Sequence, residues 1–378
     1  MDYCGFVIRR ERLARGWSQQ GLCKGICAVS YLSKIEQGQA APSREVLDAL
    51  YARLNLPVPD EAQRRDAEQR IRQGMEALFD GRWDDVREAT DGLPDLRDSE
   101  LEPWALLLRA YAAPPYAPLD EALEPCLSRI QLALQRNLQD RCEEACRLYP
   151  CALLHRSRGI LAYERGDNTA AMEALHTAYR LAAEEGRPAL MLDCRLFMGN
   201  CCSNRGDVAG MRAHYAVAER LARALGRTQD LYSLRYNTGA TLLEAGRAQE
   251  AYDLLSALPD PDALALHKLA ICLEKLHRPD EALRTLDEME RRLDQDGAAP
   301  NDLTRLMGRV VRLRLQSPDP LHDPAYGDAL MACFTRCRVE RPAGFAAFHL
   351  PWVLEWLESS RQYKQACELL KDFPVNAK

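Results

Sequence analysis

The sequence lacks any long apolar run. Its longest mostly apolar stretch, Gly344 to Leu357, is interrupted by His349, Pro351 and Glu355 and falls short of the roughly 20 residues that cross a bilayer, so no membrane span is expected. Glycine and proline number 21 each, an ordinary level without a Gly-x-y period, which excludes collagen-like and low-complexity polymers. No Gly-x-Gly-x-x-Gly, phosphate-binding loop, His-Glu-x-x-His or Gly-x-Ser-x-Gly occurs; the common enzyme signatures are missing, and neither catalytic residues nor a cofactor are expected. Arg9, Arg10, Glu11 and Arg12 follow the first residues too closely for a secretory apolar segment. The fourteen cysteines, with no Cys-x-x-Cys among them, therefore read as reduced thiols of a cytoplasmic protein. In Cys142-x3-Cys146-x4-Cys151 and Cys333-x3-Cys337 the four-residue spacing puts two thiols on one helical face, an arrangement a metal could use. The seven histidines are scattered and make no ligand set, so these cysteines, with the adjacent Cys201-Cys202, are read as packing residues and no metal site is expected.

What is present is 378 residues, 47% of them hydrophobic, enough for two domains and a substantial core. The net charge of −6 argues against a nucleic-acid binder until it is divided. Residues 1–56 hold eight Lys/Arg against five Asp/Glu, a net of +3, which leaves −9 on the rest. A small basic head on a large acidic body is the distribution of a nucleic-acid-binding module joined to a protein-binding one. Pro57 and Pro59 mark the boundary, because proline disfavours helix at the residue before it, and the linker is placed at Asn55 to Asp60.

The head reads as short helices. Ile8, Leu13 and Trp17 fall roughly on one side of a first helix whose other side carries Arg9, Arg10, Glu11, Arg12 and Arg15, with Gly16 ending it. Ser18 is placed to cap a short second helix, Gln19 to Lys24, and Gly25 breaks it. A third helix, about Ala28 to Gln37, turns Tyr31, Leu32 and Ile35 inward and leaves Val29, Ser30, Ser33 and Lys34 outward. A fourth starts at Ser43, with Val46, Leu47, Leu50 and Leu54 inward. Two short helices about a tight glycine turn, the second with a small polar outer face, fit a helix-turn-helix.

The string Ser18-Gln19-x-x-Leu22, Gly25-Ile26-Cys27-x-x-Ser30-Tyr31-Leu32-Ser33-Lys34-Ile35-Glu36-x-Gly38, Pro42-Ser43 resembles the Xre/Cro-type helix-turn-helix. It is most similar to the subgroup attached to tetratricopeptide-like repeats in the RRNPP family of bacterial peptide-pheromone receptors. The resemblance implies that Val29, Ser30, Ser33 and Lys34 read bases and that Gln19 and Gln39 contact or orient phosphates, with Arg10 also reaching the backbone. Ala28 departs from the Ser or Thr usual at that cap, and Gly21 lies inside the second helix. Arg and Lys neutralise phosphates, while short polar side chains in the major groove meet base edges. A head charge of only +3 implies two heads on a two-fold related operator, hence a homodimer on double-stranded DNA.

From Asp60 onward there is no strand-like alternation, and one phrase recurs. Turns at Gly81, Gly166, Gly206, Gly246 and His277 can be laid over one another, each with a small residue seven positions earlier (Gly74, Gly159, Gly199, Gly239, Ala270) and a buried-type residue five positions later. Two weaker copies end at Ala122 and Ala366. Such spacing is that of tetratricopeptide repeats, whose helix pairs stack because none buries its apolar side alone. Less regular helices are expected at about 302–316, 325–338 and 345–359. The expected fold class is all-α: an N-terminal five-helix Xre-type helix-turn-helix domain over residues 1–58, then a right-handed tetratricopeptide-like superhelix over 59–378.

A groove lined by the first helix of each pair takes an extended peptide, whose backbone amides match asparagine side chains as donor and acceptor at once. Counting from the turns puts Arg156, Tyr163, Asn200, Asn204, Tyr236, Asn237, His267 and Lys275 on that side. In the RRNPP receptors asparagines of consecutive first helices grip the peptide, and Asn200 with Asn237 resemble these; Arg156, His267 and Lys275 are placed to meet a peptide carboxylate. The sequence thus points to a transcription regulator of the quorum-sensing type, in which a short signalling peptide alters dimer state or DNA affinity. Two other readings stand beside it: repeats that bind a protein such as a response regulator or kinase, and a phosphatase-type activity like that of Rap-type members.

Overall fold

The computed structural model describes residues 3–57, 60–113 and 117–372. The expected boundary at residues 58 and 59, with Pro59, lies outside the described residues. Among the described residues there are helices and no strand. Four helices precede Pro57: α1 (Tyr3–Ala14), α2 (Gln19–Cys23), α3 (Val29–Glu36) and α4 (Arg44–Leu54). A fifth, α5 (Glu61–Asp80), follows it, then α6 (Trp83–Asp91), α7 (Glu102–Ala112), a 3-10 turn at Glu121–Cys126, α8 (Arg129–Leu138) and α9 (Cys142–Leu148). The repeats continue through α10 (Ala152–Glu164), α11 (Asn168–Glu184), α12 (Pro188–Asn204), α13 (Val208–Ala224), α14 (Thr228–Glu244) and α15 (Ala248–Ser256). Then come α16 (Ala263–Lys275), α17 (Pro279–Gln295), α18 (Leu303–Gln316), a 3-10 turn at Pro320–His322, α19 (Pro324–Glu340), α20 (Ala343–Ser359) and α21 (Tyr363–Asp372). Two compact units result: Met1–Arg158 with Thr177–Leu190, and Gly159–His176 with Met191–Lys378.

In the first unit, caps set the head helices. Ser18 Oγ accepts from Gly21 N at 3.0 Å and Ser43 Oγ from Val46 N at 3.4 Å, each satisfying an amide that the first helical turn leaves open. Ala28 caps α3 without a side-chain bond. Val7, Ile8, Leu22, Leu32, Ile35, Leu50 and Leu54 are fully buried and form the head's core. The inward face of α1 differs from the expected one: Leu13 is 56% and Trp17 39% exposed, while Arg12 is only 8% exposed. The reason is angular. At 100° per residue, Arg12 stands four positions after Ile8 and stays on its side, whereas the fifth position, Leu13, is carried well round toward water. The head also packs against the start of α7 within this unit. Tyr51 Oη donates to Asp98 O at 2.6 Å, Arg10 pairs with Asp98 at 2.5 Å, and Tyr3 donates to Glu102.

In the second unit the turns at Gly166, Gly206, Gly246 and His277 join helix pairs as the spacing predicts. His277 adopts φ 58°, the left-handed conformation that Gly206 and Gly246 take at 70° and 75°. Five positions beyond the turns, Ala171, Met211, Ala251 and Ala282 are fully buried. Nine positions beyond, Leu175, Tyr215 and Leu255 reach the glycine of the preceding helix. A Cβ placed on Gly159 would lie 2.7 Å from Leu175 Cγ, one on Gly239 would lie 2.6 Å from Leu255 Cγ, and one on Gly199 would strike the Tyr215 ring. The small residues are therefore a steric requirement of the helix pair.

The expected copy ending at Ala122 is corrected: that segment is the 3-10 turn Glu121–Cys126. A copy the self-comparison missed stands at Asp140, whose φ is 58°, with fully buried Ala133 seven residues before it and Ala145 five after. The phrase Asp140-Arg-Cys-Glu-Glu-Ala145 escaped because an aspartate replaces the glycine. None of the fourteen cysteines is in a disulfide, and only Cys27 and Cys367 are not buried. Burial pushes the Cys146 and Cys201 thiols up to about 12 and Cys151 to about 11, which keeps them protonated and unreactive at neutral pH.

Overpacking a helix pair tests this reading. Gly239→Val is expected to lower stability by roughly 1–3 kcal/mol, seen as a lower urea midpoint. Gly21→Ala, where the added Cβ meets nothing closer than Ser18 Oγ at 3.4 Å, is expected to be neutral or to gain up to about 1 kcal/mol. A Gly239→Val midpoint equal to wild type would contradict the close approach.

Candidate functional sites: an exposed helix face and a polar cluster on the repeats

The head is organised around a buried ion pair. Arg12 Nε and Nη2 donate to the two Glu36 carboxylate oxygens at 2.6 and 2.8 Å, and Arg12 Nη1 donates to Trp17 O at 2.7 Å. Gln19 Nε2 donates to Glu36 Oε2 at 2.8 Å. Glu36 is 2% exposed, and a guanidinium fork matched to a carboxylate is among the strongest and most directional of side-chain pairs. It ties α1, the start of α2 and the end of α3 together, so the outer face of α3 is held at a fixed angle. Gln19 is thus committed to Glu36, an orienting role. A Cβ on Gly5 would run into the Ile35 carbonyl, so α1 and α3 also touch backbone to side-chain position.

On α3, Val29 is 42% exposed, Ser30 and Lys34 are exposed and Ser33 is half-buried, accepting from Gln37 Nε2 at 3.1 Å. Gln39 is exposed just beyond the helix. The head's other cations sort by what they touch. Arg10 lies between Glu11 and Asp98, and Arg44 pairs with Asp48 at 3.0 Å and Glu100 at 3.4 Å. Arg53 donates to Leu22 O and Lys24 O at 2.9 and 2.5 Å, closing the end of α2. Arg9, Lys24 and Lys34 form no ion pair among the described residues. Of these, Lys34 puts a positive charge without a local carboxylate on the outer face of α3.

On the repeats of the second unit, Asn200 of α12 and Asn237 of α14 are half-buried and bonded to each other. Asn237 Nδ2 donates to Asn200 Oδ1 at 3.2 Å, and Tyr215 Oη donates to the same oxygen at 2.5 Å. Asn200 Nδ2 and Asn237 Oδ1 then have no hydrogen-bond partner among the described residues, which leaves one donor and one acceptor side by side, the pairing a peptide backbone amide takes. Ser203 and Thr241 join the same two helices at 2.5 Å. Tyr163 packs edge-on against Phe197 at 5.5 Å, and burial pushes its phenol up to about 12. Asn204 is exposed and donates to Asn168 Oδ1 at 3.3 Å. Tyr236 is half-buried against the core, and Lys275 is exposed at the end of α16.

One expected groove residue is corrected. His267 is fully buried, because α16 is covered on nearly every side, and burial drives its imidazole well below the usual histidine range. It meets no peptide carboxylate. Arg156 belongs to the first unit, where its guanidinium lies 5.5 Å from the Trp83 ring centroid. Tyr215 and Thr241 went unnoticed in the sequence; the signal for Tyr215 is its place nine residues after Gly206, where the copies at Gly166, Gly246 and His277 carry Leu175, Leu255 and Leu286.

Residues 8–60 match the Helix-turn-helix family model. The head is an Xre-type helix-turn-helix domain. No curated protein matches the chain in sequence. In fold the chain is similar to a Rap protein complexed with Competence and Sporulation Factor, at TM-score 0.61 and 13% identity over 83% of this chain and 97% of that one. Bacillus thuringiensis PlcR, in complex with the peptide PapR7 and DNA, aligns at TM-score 0.33 and 15% identity over 84% of this chain and 100% of that one. No helix is long and apolar enough to cross a membrane among the described residues. In the helix-turn-helix, α2 and α3 are the paired helices and α3 presents the small polar face, and Arg12 and Glu36, which set its angle, are the residues that outward-face counting passed over.

Removing one member of the ion pair leaves the other charge buried and alone. Arg12→Ala is expected to destabilise the helix-turn-helix by roughly 3–5 kcal/mol, measured by amide hydrogen exchange of α1 and α3. Exchange protection unchanged from wild type would contradict the organising role of the pair.

Proposed function

We propose that the chain is a cytoplasmic, non-enzymatic transcription regulator of the quorum-sensing type. A homodimer places two helix-turn-helix heads on a two-fold related operator, and the repeats bind a short signalling peptide that alters the dimer's state or its affinity for DNA. Val29, Ser30, Ser33 and Lys34 read base edges, Gln39 meets phosphate, and Gln19 orients. Arg10, held by Asp98, reaches the backbone only where that pair opens. Asn200 and Asn237, with Tyr163, Asn204, Tyr236 and Lys275 on the repeats of the second unit, hold the peptide.

The observation that carries this reading is the open donor and acceptor of the Asn200–Asn237 pair on consecutive first helices, in a chain whose head is a helix-turn-helix. An unsatisfied, half-buried amide pair forgoes free energy that a peptide backbone restores. The Rap protein with a similar fold is itself complexed with a factor. The peptide acts only by its differential affinity: equal binding to both dimer arrangements shifts nothing.

The head is tested on an operator selected from random DNA. Ser30→Ala and Lys34→Ala are each expected to weaken specific binding about tenfold or more, as the loss of roughly 1–3 kcal/mol per base contact implies. Lys34→Ala, where it meets phosphate instead, lowers the salt slope by about one. Selectivity unchanged in the double variant removes α3 from the interface. For the repeats, calorimetry with the peptide fraction of conditioned medium is expected to show binding that Asn200→Ala with Asn237→Ala abolishes, while the variant, lowered in stability by about 1–3 kcal/mol for the lost Tyr215 hydrogen bond, stays folded by circular dichroism. No heat with wild type across concentrated fractions contradicts the peptide reading.

A further inference from the structure

Within the second unit, α19 and α20 bring together three side chains of metal-ligand type. Cys333 and Cys337, four residues apart on α19, face His349 of α20; all three are buried and their donor atoms lie within 4.8 Å of one another. The histidine is oriented for ligation. His349 Nδ1 lies 2.8 Å from Phe345 O, and since a carbonyl only accepts, the proton is on Nδ1 and Nε2 carries the lone pair. That Nε2 is buried and has no hydrogen-bond partner among the described residues. A backbone carbonyl fixing one nitrogen while the other is bare is the arrangement found behind metal-bound histidines.

A second imidazole stands beside the first. His267 of α16 is fully buried, neither of its nitrogens makes a hydrogen bond of good geometry among the described residues, and its ring lies 6.1 Å from that of His349. Fully buried polar nitrogens without a partner are uncommon and unfavourable, and two such histidines meeting beside a thiol pair have no explanation in helix packing. Among the described residues this is the one group of three or more such side chains whose donor atoms come this close.

We propose that Cys333, Cys337 and His349 form a three-ligand zinc site that ties α19 to α20, the fourth position being left to a small exogenous ligand such as water. Soft thiolates and an imidazole select zinc over magnesium or calcium. Zinc–sulfur and zinc–nitrogen bonds of about 2.3 and 2.0 Å set ligands roughly 3.5–3.8 Å apart, so a contraction of about 1 Å closes the set. Binding displaces the two thiol protons to solvent and leaves two thiolates against one dication. Lys268 is buried on α16 with its Nζ 2.8 Å from the Phe348 ring centroid.

The full-length protein, stripped of metal and kept reduced, is titrated with zinc against a chromophoric chelator and separately with cobalt. The expected result is one zinc per chain, a thiolate-to-cobalt charge-transfer band, and a thermal midpoint several degrees higher with zinc. Cys337→Ser and His349→Gln are expected to lose the band and the stabilisation, while Cys201→Ser keeps both. Wild type that takes no zinc from the chelator and shows no thiolate band overturns the proposal, a readout that does not depend on any variant folding. Variants that bind as wild type does overturn it equally.

Discussion

The repeats rest on one steric condition: a small residue, glycine or alanine, on the first helix of a pair lets the second approach closely, and in three pairs a glycine receives a leucine or tyrosine. At Gly159, Gly199 and Gly239 the incoming Leu175, Tyr215 and Leu255 leave no room for a Cβ. With helix axes that close, the residues five positions beyond each turn are sealed from water, and the apolar side of every pair is covered only by its neighbour. The same condition fixes where the first helices sit relative to one another. Asn200 of α12 and Asn237 of α14 then meet across adjacent first helices at hydrogen-bond distance, so the polar cluster is a consequence of the packing register.

In the head the equivalent condition is electrostatic. Arg12 and Glu36 are buried together, and the pair leaves few alternatives, because a lone charge at either place would be strongly unfavourable. It holds α3 at the angle that exposes Val29, Ser30 and Lys34, while Arg10 and Arg44 are drawn to the carboxylates of Asp98 and Glu100. Positive charge is thus removed from the side that meets the first repeats and left on the α3 side. The division of a net −6 chain into a basic head and an acidic body has a local counterpart within the head itself.

Much of this was legible in the residues. The turns at Gly166, Gly206, Gly246 and His277, the caps at Ser18 and Ser43 and the three C-terminal helices follow from local rules, and the structure places them as expected. Departures occur where local pattern competes with tertiary contact. Arg12 was counted outward because arginine usually is; its burial needs Glu36, 24 residues away. Asp140 adopts the left-handed turn without a glycine to announce it. His267 counts as groove-facing within its own helix, yet α20 lies against it, a pairing more than eighty residues apart that no local spacing encodes. The grouping of His349 with Cys333 and Cys337 escaped for the same reason, since only the fold of α20 onto α19 creates it.

The central claim is that the repeats and the helix-turn-helix are energetically coupled through a peptide. Coupling is reciprocal: whatever factor the peptide applies to operator affinity, the operator must apply to peptide affinity. The most direct measurement is therefore the peptide dissociation constant of the full chain, free and saturated with its selected operator. The account requires the two to differ, by the same factor that separates operator affinities with and without peptide. Equal peptide affinity in the free and operator-bound protein would show that the groove and the head do not communicate, and would contradict it.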